Sequence, residues 1–188
     1  CCAGLLPAAE QLTYRFTAVG DSESVPEGVV NALAQDAQGR VWIGTRGLVR
    51  YDGYEFLNHL ADPARADAPG GNFVRSLLLA ADGRLWVGYD GGVVSVHDPR
   101  RGGFRSYSLT GLGSASAGGI AVSSLAEGPD GAIFIGTRGA GVFRLDPRSG
   151  ELQGRQEAPP GTSPRPADVA FALAVAPDGG VWIGSADG

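Results

Sequence analysis

Ala80-Ala81-Asp82-Gly83-Arg84-Leu85-Trp86-Val87-Gly88-Tyr89 is the stretch whose reading decides the fold, because the chain repeats it. It returns as Ala34-Gln35-Asp36-Ala37-Gln38-Gly39-Arg40-Val41-Trp42-Ile43-Gly44-Thr45 and as Gly128-Pro129-Asp130-Gly131-Ala132-Ile133-Phe134-Ile135-Gly136-Thr137. A last copy reads Ala176-Pro177-Asp178-Gly179-Gly180-Val181-Trp182-Ile183-Gly184-Ser185. Aligned on Gly39, Gly83, Gly131 and Gly179, the copies are 44, 48 and 48 residues apart, a period that marks stacked supersecondary units. Leu33, Leu77, Leu125 and Leu173 stand six residues before the glycines, and Trp42, Trp86, Phe134 and Trp182 three after. Both arms of the turn therefore keep a fixed apolar register. In the fourth copy Val169, Phe171, Leu173 and Val175 alternate with alanines, the period of a strand rather than a helix. Asp-Gly at three of the turns is a hairpin signal, since Gly accepts positive φ; Gln38-Gly39 implies a slightly different turn in the first copy.

Further strands follow each hairpin. Leu48–Asp52, Val93–Asp98 and Val142–Asp146 end in Asp-Gly or Asp-Pro turns, and Phe56, Phe104 and Leu152 anchor a short fourth strand. Four antiparallel strands per unit at this period describe the blade of a β-propeller. The expected fold is all-β, an incomplete propeller over residues 11–188 with three full blades and half of a fourth. Leu12, Tyr14 and Phe16 are expected to form one further outer strand. Residues 1–10 read either as a signal-peptide remnant or as a disordered N-terminus, and Cys1 as the acylated first residue of a lipoprotein on a second reading.

Composition narrows the function classes. The chain has 188 residues, 31 of them Gly and 12 Pro, and a net charge of −5 that repels nucleic acid and anionic head groups. Every basic residue is Arg, which excludes chemistry needing a lysine. Cys1 and Cys2 are adjacent and alone, so no disulfide framework can be drawn. No stretch reaches the ~20 apolar residues of a membrane-spanning helix. His59 and His97 lack a partner at metal-ligand spacing, and His97 stands where other copies place Tyr51 and Leu145, which suggests packing. Asp36, Asp82, Asp130 and Asp178 beside the turns read as turn-capping groups rather than calcium ligands or catalytic carboxylates. The tryptophans are expected to pack blade against blade. No catalytic residue, metal site or cofactor is expected.

Val41-Trp42-Ile43-Gly44-Thr45-Arg46-Gly47-Leu48-Val49-Arg50-Tyr51-Asp52, Leu85-Trp86-Val87-Gly88 and Phe134-Ile135-Gly136-Thr137 with their flanks resemble the two-component regulator propeller repeat. Tyr89 in the Thr position and Phe134 in the Trp position depart from it. The resemblance implies the start of an extracytoplasmic, periplasmic sensor region in an inner-membrane protein. Its output module, outside these residues, would be a histidine kinase or a diguanylate cyclase. A non-signalling envelope scaffold is the alternative. The implied partners are a small-molecule or protein ligand and further blades of the parent protein.

Strand parity predicts where a ligand would be met. The turns between second and third strands open on the same face as the blade-to-blade connections Ala61 to Gly71, Thr110 to Gly119 and Pro159 to Ala167, which are long, polar and rich in Gly and Pro. Binding tends to reside in loops on a rigid scaffold, so Arg46, Asp90 and Arg138 at those inner turns are the candidate ligand-binding residues, the alternative being solvated turn positions.

Overall fold

The computed structural model describes residues 15, 17–21, 24–25, 29–111, 119–154 and 169–185, and among them the regular structure is entirely β-strand. The first sheet holds β1 (Ala32–Gln35), β2 (Val41–Gly44), β3 (Leu48–Tyr51) and β4 (Phe56–His59). The second holds β5 (Val74–Leu79), β6 (Leu85–Tyr89), β7 (Val93–His97) and β8 (Phe104–Ser108). β9 (Ala121–Glu127), β10 (Ile133–Arg138), β11 (Val142–Leu145) and β12 (Leu152–Gln153) make the third, and β13 (Ala170–Val175) with β14 (Val181–Ser185) the fourth. Each sheet is an antiparallel meander in sequence order, and β1, β5, β9 and β13 adjoin in series. These are three four-stranded blades and a hairpin fanned about one axis, the incomplete propeller that the repeat predicts. The outer strand expected at Leu12, Tyr14 and Phe16 lies outside the described residues.

The four inner hairpins turn out to be identical, including the first. Gly39, Gly83, Gly131 and Gly179 all lie at φ between 80° and 88°. Their amides bond back to the carbonyls of Asp36, Ala80, Gly128 and Ala176 at 2.9 Å. The amides of those same four residues bond to the carbonyls of Arg40, Arg84, Ala132 and Gly180 at 2.8–2.9 Å. This is a type I turn closed by a left-handed glycine, so what the loop requires is the glycine and not the residue before it. Asp36 is therefore not the counterpart of Asp82, Asp130 and Asp178; it stands two positions earlier. Even so, its Oδ1 accepts the Arg40 amide at 3.1 Å, just as Asp82, Asp130 and Asp178 accept the amides of Arg84, Ala132 and Gly180 at 2.9–3.1 Å. Two different sequence positions thus deliver a carboxylate to the same orphan donor.

Apolar side chains fill the seams between blades. Trp42 is 1% exposed and packs with Val74, Leu85 and Phe104 of the second blade; Trp86 is fully buried with Ile133, Phe143 and Leu145 of the third. Phe134 meets Ala170, Leu173 and Val181 of the fourth. Burying an aromatic ring of this size stabilises by roughly 2–3 kcal/mol. Trp182 breaks the series: it is 73% exposed, because among the described residues no further blade stands in front of it. Leu33 is 65% exposed at the opposite end for the matching reason.

The glycine two residues after each aromatic permits the close approach of neighbouring inner strands. A Cβ on Gly44 would come within 2.5 Å of Val74 Cγ1, and one on Gly88 within 2.4 Å of Val122 Cγ1.

Candidate functional site

Arg46 and Asp90 sit in the β2–β3 and β6–β7 turns and Arg138 ends β10, at equivalent positions of the three blades and on one face as strand parity requires. Each turn is tied to the blade that follows. The Val74 amide donates to the Thr45 carbonyl at 2.9 Å, and isolated bridges pair Asp90 with Ala121 and Arg138 with Val169. The candidate residues therefore stand beside the first residues of the next blade's inner strand.

That strand carries a feature which sequence alternation does not disclose. In β5, β9 and β13 the pairing register shifts at Val74/Ser76, opposite Gly136/Thr137 and at Ala170/Ala172, leaving Arg75, Ser123 and Phe171 as the extra residues of β-bulges. Asn31 holds the same position in the first blade. Asn31 Nδ2 donates to the Val74 carbonyl at 2.8 Å, and Ser123 Oγ donates to the Ala170 carbonyl, so at both sites the residue at this repeat position ties its blade to the next. In the second blade the neighbouring Ser76 performs this task, its Oγ donating to the Val122 carbonyl at 3.1 Å. Arg75 is thereby released to form a two-pronged pair with Asp90, Nε to Oδ1 at 2.8 Å and the terminal nitrogen to Oδ2 at 3.0 Å, with its guanidinium 4.5 Å from the centre of the Phe73 ring. Phe171 in its turn lies under Arg138, ring to guanidinium 5.0 Å. Arg46 is exposed.

Asp90 thus gains Arg75 as a partner and Arg138 gains Phe171. Sequence reasoning missed Arg75 and Phe171 because a bulge leaves the apolar pattern intact.

The long connection Ala61–Gly71 does not stand over this face as its composition suggests. It runs back along the second blade, where the Gly70 amide donates to Ser95 Oγ at 3.0 Å and the Asp67 carbonyl accepts the Phe104 amide at 2.8 Å. Gly70 makes this possible, since a Cβ there would meet Val93 Cγ1 at 2.6 Å and Ser106 Oγ at 2.7 Å. The other two connections lie largely outside the described residues.

Both histidines are packing residues of the seam between the first two blades. His59 stacks on Trp42 at 5.3 Å, His97 lies 5.2 Å from Trp42, and Phe104 closes the group at 5.5 and 5.1 Å. His97 is 9% exposed. Burial, with the nearby Arg50 and His97, pushes the His59 pKa down to about 4. Burial likewise lowers His97, aided by Arg40 and Arg50. Asp36 anchors the same seam, its Oδ2 accepting Arg40 Nε at 2.7 Å and Trp42 Nε1 at 3.0 Å. Burial alone would raise its pKa, but those hydrogen bonds outweigh it and hold the carboxyl below its ordinary value. Among the described residues no three His, Cys, Asp or Glu side chains gather as a metal cage.

Four sheets about one axis, their three seams sealed by Trp42, Trp86 and Phe134, define a β-propeller. A family model described as two component regulator propeller matches residues 24–47 and 69–91, which contain the inner hairpins of the first two blades. Those two stretches thus match the two-component regulator propeller repeat. In fold it is similar to the extracellular domain of the putative hybrid two component system BT3049 from B. thetaiotaomicron, with TM-score 0.74 and 18% identity over 90% of this chain and 24% of that one. The extracellular domain of the putative one component system BT4673 from the same organism gives TM-score 0.67 and 18% identity over 88% and 22% of the two chains. A catalytically inactive virginiamycin B lyase from Staphylococcus aureus, with quinupristin, gives 0.61 and 17% over 83% and 48%. The chain spans about a quarter of the length of the first two. No curated protein matches the sequence at a significant level.

Proposed function

We propose that this chain is part of an extracytoplasmic, periplasmic ligand-sensing propeller in a bacterial two-component signal-transduction protein of the sensor histidine kinase type. The observation that carries the reading is the repeat itself, matched in two blades by the regulator-propeller model and set in a fold similar to extracellular domains of such systems. The ligand, a small molecule or a protein, is met on the face of Arg46, Asp90 and Arg138. The pre-formed Arg75–Asp90 pair and the Phe171 ring beneath Arg138 give that face fixed charges and an apolar floor, the mixture by which a pocket orients a ligand. The propeller does no chemistry in this reading; it passes occupancy to an output segment of the parent protein.

The test has two parts. The coding sequence downstream of Gly188 should specify a membrane span followed by a kinase core, and a stop codon there would end the sensor reading. In the full-length parent, the combined substitution Arg46→Ala, Asp90→Ala and Arg138→Ala should abolish the response of a downstream reporter to its inducing stimulus while leaving protein level unchanged. An unaltered response would remove this face from the sensing mechanism.

A further inference from the structure

We propose that the groove between the second and third blades, on the face opposite Arg46, Asp90 and Arg138, binds a small ligand carrying two oxyanion groups. The groove encloses about 600 Å³ and draws on both blades: Arg84 from the β5–β6 turn, Arg100 and Arg101 from the β7–β8 turn, Arg105 and Tyr107 from β8, and Arg148 from the β11–β12 turn. Five arginines face two aspartates there, in a protein whose net charge is −5.

Both aspartates are already engaged. Asp82 Oδ2 accepts Arg84 Nε at 2.7 Å, and Asp98 Oδ1 accepts the Arg100 amide at 2.9 Å, with Arg101 Nε 3.9 Å from its other oxygen. Arg100, Arg105 and Arg148 enter no salt bridge among the described residues. Five like charges set against two carboxylates, with Asp82 shared between Arg84 and Arg100, repel one another, and an anion placed between them relieves that repulsion.

The wall is also ordered in a way that a solvated charge cluster does not need. The Arg105 guanidinium lies 5.1 Å from the centre of the Tyr107 ring, and Tyr107 stacks in turn on the buried Trp86 at 6.0 Å. From the third blade Gly150 closes on the same guanidinium, so that a Cβ there would stand 3.2 Å from it. Arg148 stands two residues away on that blade. A guanidinium fork matches the geometry of a carboxylate or a phosphate, and forks on opposite walls suit a ligand with two such groups. This site is separate from the proposed sensing face and stands or falls independently of it.

The experiment is calorimetric titration of the whole 188-residue chain with pyrophosphate and, separately, citrate, at about 50 mM salt, where charges this close are weakly screened. One saturable site for either probe is expected; pyrophosphate alone assigns a phosphate ligand and citrate alone a carboxylate. The double variant Arg105→Gln, Arg148→Gln should weaken binding at least about ten-fold, whereas Arg46→Gln on the other face should leave it unchanged. No binding of either probe at about 1 mM overturns the proposal, as does an equal loss in the Arg46 variant, which would show only the response of the overall field to one fewer charge.

Discussion

His59 and His97 lie ring against ring with Trp42 and Phe104, and that contact makes the protein sensitive to acid. A histidine kept neutral by burial stabilises the fold fully above its unfolded pKa of 6.5, and the contribution drains away as pH falls towards the folded value of about 4. The full shift would correspond to ~3 kcal/mol, but the ring is only partly buried, so solvent screening reduces the expected loss to about 1–2 kcal/mol. Urea denaturation at a series of pH values should show the decline between those limits, and His59→Phe should flatten it. The charged neighbours are Arg50 and His97 for His59, with Arg40, Asp36 and Asp98 acting on His97. The aspartates with lowered pKa values act at still lower pH, so their loss follows that of His59. A second residue-scale contrast concerns the seam glycines. Gly88→Ala forces a methyl to 2.4 Å from Val122 and should cost about 1–3 kcal/mol, while Gly184→Ala, whose nearest neighbour is 3.6 Å away, should cost little. Equal midpoints for the two variants would refute the blade-packing role of Gly88.

At the scale of the element, strands were legible wherever a physical constraint repeats. The apolar residue six before each glycine and the aromatic three after it must face neighbouring blades, so their spacing appears in every copy and fixes the hairpins. The bulges were not legible, because Arg75, Ser123 and Phe171 share a backbone position but no side-chain chemistry. Consequently strand parity groups Arg46, Asp90 and Arg138, but it gives no sign of Arg75 beside Asp90 or of Phe171 beside Arg138. The exchange of duties in the second blade is testable. Ser76→Ala removes the bond to the Val122 carbonyl and leaves a buried acceptor unmet, which should cost about 1–2 kcal/mol. Arg75→Ala breaks a partly exposed ion pair and its contact with the Phe73 ring, and should cost about 1 kcal/mol or less. Chemical denaturation of the two variants would reverse this order if Arg75, and not Ser76, joined the blades.

On the scale of the whole molecule each blade touches its sequential neighbours, so stability is the sum of seams, as in other repeat proteins. Trp86→Ala opens a cavity in a closed seam and should cost about 3–5 kcal/mol, while Trp182→Ala should leave the unfolding midpoint nearly unchanged. A comparable loss in both variants would mean that the fourth sheet is covered. That contrast has an optical counterpart. Of the three indoles in the chain two are shut away and one faces water, so a soluble quencher should extinguish about one component of the emission and leave a protected remainder. Anything that closes over the fourth sheet, whether a further blade or a binding partner, would shield the responsive fluorophore and shift its emission to the blue. The protein thereby carries its own spectroscopic reporter of assembly, on the exposed side of its fourth sheet.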